Sequence, residues 1–385
     1  MKKTSSRQSP DVDIEDGATC SSHCAHEAVM LMQWHVTERC NLRCAHCYQD
    51  PKPSRELAFN DLLNVLAQFK RLLDDLERHW GRPVKGRLHL TGGEPFIRRD
   101  FLDFLEVVAA ETPRIRFGIM TNGSFIDREM ARRLRQLDPV SVQVSIEGNQ
   151  ATHDQIRGKG DFDRTAVAVR TLVRAGILAS ISFTAHRLNY RQFPEVARLA
   201  RRLRAHRVWS DRMIPMGRGC AMECLTPEET RELFRLMGSA RDEADSTWFN
   251  RTIVSMIRAL QFLEGGRLYQ CKAGANLLTL LPDGELVPCR RMPIRLGNVM
   301  EHSLSSLYFD SPVLISLRDP SRIAAGCESC RFEHRCRGGL RCLAYAVTGD
   351  PFTADPGCWL AETATPHAGA RGVEVAGLAS PPTSG

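Results

Sequence analysis

Three cysteines of this 385-residue chain are spaced closely enough to hold an inorganic cluster. Cys40, Cys44 and Cys47 are separated by three and two residues, and they follow an apolar run at residues 31–36. This spacing predicts one tight loop whose thiolates can bind an iron–sulfur cluster. A [4Fe–4S] cube has four irons, so three protein ligands leave one iron open for another molecule. The loop alone leaves a zinc knuckle, or three structural cysteines, as the alternative.

A glycine-rich segment follows the next apolar run. Residues 91–95 read TGGEP, which alone is typical of a turn, but here it follows a predicted strand and comes after the cysteine loop. Together with that loop, in which His46 is the ring residue, it resembles the radical S-adenosylmethionine enzymes. The resemblance implies that the open iron chelates S-adenosylmethionine. One electron then yields a 5′-deoxyadenosyl radical, which abstracts a hydrogen atom from the substrate.

The resemblance also assigns roles to the residues of these two motifs. Gly92 and Gly93 lack Cβ atoms, so their backbone can approach a ligand closely. Glu94 is expected to accept a hydrogen bond from the ammonium group of S-adenosylmethionine. His46 is expected to pack beside the adenine.

Polar residues after the next predicted strands complete the expected cofactor site. Asn122 follows the third strand. Ser145 and Glu147 match positions that family members direct at the ribose, although the common acid there is aspartate. Arg157 resembles the arginine that pairs with the methionine carboxylate, and a surface arginine on a helix is the alternative.

Seven cysteines in the last third of the chain form a second set of motifs: Cys271, Cys289, Cys327, Cys330, Cys336, Cys342 and Cys358. Their pattern resembles the SPASM extension, which holds two auxiliary [4Fe–4S] clusters. The resemblance implies a first auxiliary cluster on Cys271, Cys289 and Cys342, and a second on the other four cysteines. A zinc ribbon is the alternative, but seven cysteines divide poorly into four-thiolate sites.

One position departs from the SPASM pattern. Leu340 stands where the fourth cysteine of the central run is expected, and Cys342 follows two residues later. The first auxiliary cluster then has three clear ligands. It has an open iron, is completed by Cys220 or Cys224, or is absent. We favour a cluster with three ligands.

The elements that must position these residues are predicted by an alternation of strands and helices. Six apolar runs of strand type alternate with stretches of helical period, and they cover residues 31–36, 87–91, 115–120, 141–146, 178–184 and 208–214. This order predicts an α/β fold with a parallel sheet covered by helices. The count fits the partial (β/α)6 TIM-type barrel of the resembled family, with a small Cys-rich C-terminal SPASM domain. In such barrels, functional residues lie in loops after the strands, as the first four motifs do here.

The chain is accordingly divided into five parts. A disordered arm at 1–28 precedes a barrel at 29–225. A helical bridge at 226–265, with helices at about 227–244 and 250–263, leads to the SPASM domain at 266–360, and a disordered tail covers 361–385. The bridge is expected to start at a helix-start signal, Thr226 with Pro227, Glu228 and Glu229.

Composition limits the classes of function. Hydrophobic residues make up 43% and charged residues 25%, as in an ordinary globular protein. The net charge of +7 is spread over helical faces, so neither a nucleic-acid nor a membrane partner is expected. No signal peptide or membrane span is seen, so we expect a cytoplasmic protein whose 14 cysteines serve metal or redox chemistry. Cys20 and Cys24 are interpreted as incidental thiols.

These observations predict an enzyme acting by radical chemistry. The resemblance makes modification of a peptide or small protein, for example cross-linking or oxidation, the leading hypothesis, because this substrate class dominates enzymes with the same two-module pattern. The alternative is small-molecule work in haem or tetrapyrrole biosynthesis, and an electron carrier without catalysis is disfavoured because it has no need of Gly92, Gly93 and Glu94. A reductant such as flavodoxin or ferredoxin is expected. About 30 residues precede the first strand, too few for a winged-helix leader-binding domain, so we expect a ribosomal peptide to be held by a separate recognition protein or by the SPASM surface.

Overall fold

One open sheet flanked by helices forms the centre of the computed structural model, which describes residues 27–49 and 55–361. The sheet has ten strands in the order β10-β9-β8-β1-β2-β3-β4-β5-β6-β7. The strands are β1 Ala28–His35, β2 Val84–Thr91, β3 Ile115–Thr121, β4 Val142–Ser145, β5 Ala179–Ala185, β6 Arg207–Arg212, β7 Ile253–Ser255, β8 Leu277–Leu280, β9 Glu285–Val287 and β10 Gly297–Asn298. The predicted arm and tail lie outside the described residues except for 27, 28 and 361.

The first six strands confirm the predicted fold class. They pair in parallel, each with the next, from β1 to β6. The sheet is open rather than closed, as a partial barrel requires. The carboxyl ends of parallel neighbours meet at one edge, so the loops after these strands share one rim.

Eleven α-helices lie among the described residues, and those of the barrel pack against the sheet. They are α1 Phe59–Trp80, α2 Phe101–Ala110, α3 Arg128–Leu137, α4 Gln150–Arg157, α5 Asp161–Arg174, α6 Phe193–Leu203, α7 Pro227–Asp245, α8 Leu304–Asp310, α9 Pro312–Arg318, α10 Glu333–Cys336 and α11 Arg341–Thr348. Trp34 of β1 is fully buried and meets Phe104 of α2 edge-on, with 5.0 Å between ring centroids. Aromatic pairs of this geometry add to the energy of apolar burial.

The predicted start of α7 is confirmed. Thr226 accepts a hydrogen bond from the Glu229 amide at 3.2 Å, and the Glu229 side chain accepts one from the Thr226 amide at 2.9 Å. This capping box satisfies two amides that the first helical turn leaves without partners.

The prediction of a second bridging helix at 250–263 is wrong. Residues Ile253–Ser255 form β7, which pairs in parallel with β6, and only one turn of 3-10 helix follows at Gln261–Glu264. The run has apolar residues at helical spacing, but its β-branched Thr252, Ile253 and Val254 favour a strand where a sheet edge is available.

The C-terminal module continues the sheet of the barrel. Strand β8 pairs in parallel with β1, and β8 and β9 form an antiparallel hairpin. Gly284 at the hairpin has a φ of +89°, which glycine adopts without strain. The predicted domain limits at 225 and 266 stay predictions, since strands on both sides belong to one sheet.

A buried ion pair also joins the barrel to the C-terminal module. Arg212 at the end of β6 binds both carboxylate oxygens of Asp355 at 2.6 Å, and both side chains are almost fully buried. Asp355 also accepts hydrogen bonds from the Leu340 and Gly357 amides. No helix among the described residues is long and apolar enough to cross a membrane.

Candidate functional site

A large cavity lies at the rim formed by the loops after the strands. Its volume is about 1320 Å³. The cysteine loop, inward-facing residues of β1 to β6 and residues of the C-terminal module all line it, including Cys289 and Arg291. The cavity therefore connects the predicted first cluster site with the predicted first auxiliary site.

The cysteine loop has its three thiols on the wall of this cavity. Cys40, Cys44 and Cys47 all line it, and burial raises the pKa of the Cys40 and Cys44 thiols. The Asn122 amide lies 3.9 Å from Cys40 Sγ and donates a hydrogen bond to Asn41 Oδ1 at 2.8 Å. The three free thiols on one short loop fit the three-thiolate donor set of an iron–sulfur cluster, and Asn122 links β3 to that loop.

Gly92 and Gly93 were expected to let a ligand approach their backbone closely, but here another part of the protein backbone lies against them. A Cβ atom on Gly92 would lie 2.3 Å from the Thr37 carbonyl oxygen, and one on Gly93 would lie 2.2 Å from that of Arg39. The Gly93 amide donates to Thr37 and the Glu94 amide to Arg39, both at 2.8 Å. Both glycines also line the cavity. What the missing Cβ atoms permit in this structure is close contact with the backbone that leads into the cysteine loop.

Glu94 is fully buried, and its carboxylate contacts the next strand. It accepts hydrogen bonds from the Thr121 hydroxyl at 2.9 Å and the Asn122 amide at 2.8 Å. Burial raises the pKa of Glu94 to about 7, although these hydrogen bonds and Arg157 oppose the shift. The cavity wall beside it is formed by Thr121 and Asn122. Contact of Glu94 with an ammonium group stays a prediction.

Arg157 is not a surface arginine of a helix. Its side chain is 9% exposed, lines the cavity and donates to Glu147 Oε1 from Nη2 at 2.7 Å and from Nε at 3.2 Å. His46 Nε2 lies 3.4 Å from the same oxygen, and the Thr184 amide donates to Glu147 Oε2 at 2.8 Å. Burial alone would raise the pKa of Glu147, but Arg157, His46 and the Thr184 amide hold it far below its usual range.

The structure thus joins three predicted residues that the sequence assigned to separate parts of the cofactor. Glu147 was expected at the ribose, Arg157 at the methionine carboxylate and His46 at the adenine. Glu147 has both oxygens engaged and is fully buried, whereas His46 and Arg157 line the cavity. Ser145 also lines it, and its hydroxyl lies 3.0 Å from that of Ser182.

Some residues in the cavity wall or directly behind it were missed by the sequence reasoning. His186 stacks on His46 with 6.2 Å between ring centroids, and burial lowers its pKa to about 4. Trp209 and Asp211 of β6 line the cavity, as does Arg258 beyond β7. Alternation along β6 was the signal that could have located Trp209 and Asp211, because residues two apart on a strand face the same side. The misassigned helix at 250–263 concealed Arg258.

The three cysteines of the predicted first auxiliary site, Cys271, Cys289 and Cys342, lie close enough together to interact electrostatically. Burial raises the pKa of Cys342 well above its usual value, and Cys289 and Cys271 raise it further while Arg291 opposes them. Cys289 and Cys342 are both buried. The two-residue shift relative to Leu340 therefore leaves a thiol directed at this site, while Leu340 itself is buried in the apolar core.

The predicted second auxiliary site has a complete set of four thiols. Cys327, Cys330, Cys336 and Cys358 line one small cavity together with Asp355. Burial raises the pKa of Cys327 to about 11 and that of Cys336 to about 12. Four thiols around one cavity fit the donor set of a [4Fe–4S] cluster.

The remaining described cysteines lie elsewhere. Cys220 Sγ lies 3.1 Å from the Pro215 carbonyl oxygen, and Cys224 has its pKa raised by burial and by Cys220. All cysteines between residues 27 and 361 that the structure describes are free thiols. In the same part of the chain, no three His, Cys, Asp or Glu side chains are grouped to hold a single metal ion. Cys20 and Cys24 lie outside it.

Comparisons with known proteins find two family models that match this chain. The family model of the Radical SAM superfamily matches residues 34–200, and that of the SPASM iron-sulfur cluster-binding domain matches residues 271–336. Mycofactocin maturase MftC of Mycolicibacterium smegmatis is 32% identical, over 86% of this chain and 83% of that protein. Fe-coproporphyrin III synthase of Methanosarcina barkeri is 28% identical, over 86% and 88%. Streptococcus suis SuiB bound to precursor peptide SuiA shares the fold, with a TM-score of 0.66 and 16% identity over 86% of this chain and 76% of that one.

Proposed function

Because the chain belongs to the Radical SAM superfamily and carries its SPASM iron–sulfur domain, we propose that it is a maturase that modifies a peptide or small protein. The observation that carries this proposal is the cavity of about 1320 Å³ shared by the cysteine loop and the C-terminal module. Small-molecule sites usually enclose roughly 300–1,000 Å³. The cavity therefore has room for a second molecule, such as a segment of a peptide, beside S-adenosylmethionine. The similarity to mycofactocin maturase supports the same class of substrate.

The family uses a [4Fe–4S] cluster and S-adenosylmethionine, and the SPASM domain accounts for auxiliary clusters. When bound, the cluster and S-adenosylmethionine supply a 5′-deoxyadenosyl radical that abstracts a hydrogen atom from the substrate. Cys40, Cys44 and Cys47 would hold that cluster, since their free thiols lie together on the cavity wall. A reductant such as flavodoxin or ferredoxin would provide the electron.

Residues of the barrel would orient S-adenosylmethionine in this cavity. Arg157 is held by Glu147 with its guanidinium on the wall, so it can pair with a ligand carboxylate without moving. His46 has its Nδ1 buried without a hydrogen-bond partner among the described residues. That nitrogen is therefore available to a polar atom of the nucleoside, and Asn122 lines the same cavity.

Residues of the C-terminal module would hold the auxiliary clusters. Cys271, Cys289 and Cys342 would bind the first, beside the substrate, because Cys289 lines the cavity. Cys327, Cys330, Cys336 and Cys358 would bind the second. A separate protein that recognises a leader peptide would complete the system.

The test is turnover with peptides encoded beside the gene. Anaerobically reconstituted protein, strong reductant and S-adenosylmethionine should give 5′-deoxyadenosine, and mass spectrometry should show a peptide changed by loss of hydrogen. Peptide deuterated at the reacting carbon should transfer deuterium to 5′-deoxyadenosine. Formation of 5′-deoxyadenosine with every such peptide unchanged and no deuterium transferred would contradict the proposal.

A small tetrapyrrole is the second candidate substrate, and one observation favours it. Cationic side chains of Arg157, Arg258 and Arg291 line the cavity, and propionates are anionic. The similarity to Fe-coproporphyrin III synthase points to the same chemistry. Incubation with iron coproporphyrin III, and with tetrapyrrole precursors from which a synthase would form it, followed by mass spectrometry of the tetrapyrrole, separates the two candidates.

A further inference from the structure

Three arginines surround one aspartate on the cavity wall between β6 and the C-terminal module. Asp211 is buried, which alone would raise its pKa, yet Arg291, Arg258 and Arg212 together hold the pKa below its usual value. Arg291 donates to Asp211 Oδ2 at 2.9 Å. Arg212 has two guanidinium nitrogens bound to Asp355 at 2.6 Å.

Arg258 differs from its two neighbours in this group. No carboxylate of the described residues forms an ion pair with it, whereas Arg212 pairs with Asp355 and Arg291 with Asp211. Three guanidinium groups therefore face two carboxylates, those of Asp211 and Asp355. The Arg258 guanidinium, half-buried on the cavity wall, therefore has no carboxylate partner among the described residues, and an anion that enters the cavity can pair with it.

The position of Arg258 is nevertheless well defined. Its guanidinium carbon lies 4.4 Å from the Trp209 ring centroid and 5.9 Å from that of Tyr269. Its backbone amide donates to Gln261 Oε1 at 2.9 Å. All three side chains, Trp209, Arg258 and Tyr269, line the cavity. Stacking on aromatic rings leaves the edge of a guanidinium able to form two parallel hydrogen bonds.

We propose that Arg258, held between Trp209 and Tyr269, binds a carboxylate of the substrate. This inference rests on the proposed function, because it assumes that the substrate enters this cavity. The ligand is an anion of carboxylate type, as carried by an acidic side chain or the C-terminus of a peptide, or by a propionate. A planar carboxylate matches the two parallel donors of a guanidinium edge.

Binding of matched probes tests the assignment. A tetraglutamyl peptide is compared with its tetraglutamine counterpart, and coproporphyrin III with its tetramethyl ester, on holoenzyme carrying bound S-adenosylmethionine. Hydrogen bonds to charged groups contribute about 1.5–3 kcal/mol, so Arg258→Gln should weaken binding of each acidic probe roughly 10- to 100-fold. The affinity for the neutral probes should stay unchanged. Arg258→Lys keeps the charge but loses the paired donors, so its effect should be intermediate.

Arg251→Gln is the matched control. Arg251 is exposed and seven residues earlier, so the substitution removes the same charge without touching the cavity. Equal binding of the acidic probes to wild type, Arg258→Gln and Arg258→Lys would overturn the inference. So would a changed cluster spectrum in Arg258→Gln with unchanged probe binding, because Arg258 would then serve the auxiliary cluster.

The probes also separate this inference from the proposed function. If binding of the tetraglutamyl peptide depends on Arg258, the result supports both the carboxylate site and a peptide substrate. Dependence with the porphyrin pair alone supports the carboxylate site and contradicts a peptide substrate.

Discussion

Glu147 fixes the side chains of Arg157 and His46 at the cavity from a position that solvent does not reach. Its Oε1 contacts Arg157 at 2.7 Å and His46 at 3.4 Å, while its Oε2 accepts from the Thr184 amide. A buried carboxylate is tolerated only where its charge is paired and its lone pairs are used. The pairing therefore makes the orientation of Arg157 and His46 a property of the fold, set before any ligand binds.

Glu94 is the residue whose charge should change near neutral pH. Burial raises its pKa to about 7, so its carboxyl is largely protonated below that pH and ionised above it. An ionised Glu94 accepts hydrogen bonds more strongly from Thr121, from Asn122 and from a ligand ammonium. Binding of S-adenosylmethionine should therefore tighten as pH rises through about 7, by up to roughly 10-fold.

Equilibrium binding of S-adenosylmethionine from pH 6 to 8 measures this effect. Glu94→Gln has no titrating group and should bind weakly across that range with a flat profile. A wild-type profile equally flat would show that Glu94 keeps one charge state throughout.

Sequence reasoning placed the residues of this site better than it placed their contacts. Spacing along the chain predicted the cysteine loop, because its three thiols lie within eight residues. The pair of Glu147 and Arg157 could not be predicted, since it depends on how the loop after β4 folds against α4. Likewise, the contact that requires Gly92 and Gly93 to lack Cβ atoms lies more than fifty residues away along the chain.

At the scale of elements, the loop after β2 supports the loop after β1. The Gly93 and Glu94 amides bind the carbonyl oxygens of Thr37 and Arg39, just before Cys40. Gly93→Ala would place a Cβ atom 2.2 Å from the Arg39 carbonyl oxygen, so that backbone must shift. We expect loss of about four irons per chain, those of one [4Fe–4S] cluster, and loss of S-adenosylmethionine cleavage.

Gly238→Ala is the control for that substitution. Gly238 lies in α7, where an added Cβ atom would come no closer than 3.7 Å to its nearest neighbour. Alanine also suits a helix better than glycine does. In Gly238→Ala, iron content and S-adenosylmethionine cleavage should match wild type, whereas both should fall in Gly93→Ala. Full iron content in Gly93→Ala would contradict the support role.

The positions of the strands were easier to predict than the pairing between strands. The six runs of the barrel could be read from alternation with helices, because each lies between helical stretches of clear period. The short strand β7 could not, since three residues carry too little pattern and its pairing with β6 is decided in the fold. The pairing of β8 with β1 joins residues some 246 positions apart and is equally invisible to local patterns.

At the scale of the whole molecule, Asp355 connects barrel, core and cluster site. It binds Arg212 from β6, accepts from the Leu340 and Gly357 amides, and lines the cavity of the second auxiliary site. Asp355→Asn leaves Arg212 buried without its counter-charge, which typically costs about 3–5 kcal/mol. We expect a lower thermal midpoint and a loss of auxiliary iron, measured by calorimetry and iron analysis.

An exposed pair provides the comparison. Arg187 and Glu223 are 3.0 Å apart at the surface, where solvent screens the attraction, so Glu223→Gln should leave the midpoint unchanged. A midpoint for Asp355→Asn equal to that of wild type would show that the two parts are held together by other contacts.

The number of clusters per molecule decides how the three sets of cysteines act together. Reconstituted protein should contain about twelve irons if all three sets hold [4Fe–4S] clusters, and about eight if Leu340 has cost the first auxiliary one. The cysteine loop lies after β1, whereas the auxiliary cysteines all lie between residues 271 and 358, from just before β8 to beyond α11. A variant with Cys40, Cys44 and Cys47 all changed to Ala should therefore lose about four irons and keep the rest. Loss of all iron would mean that the sites do not form independently.

Cys342→Ala should lose about four irons per chain, those of the first auxiliary cluster. Its buried thiol faces Cys289 and Cys271, so an unchanged iron content would exclude it as the ligand that replaces the cysteine missing at Leu340.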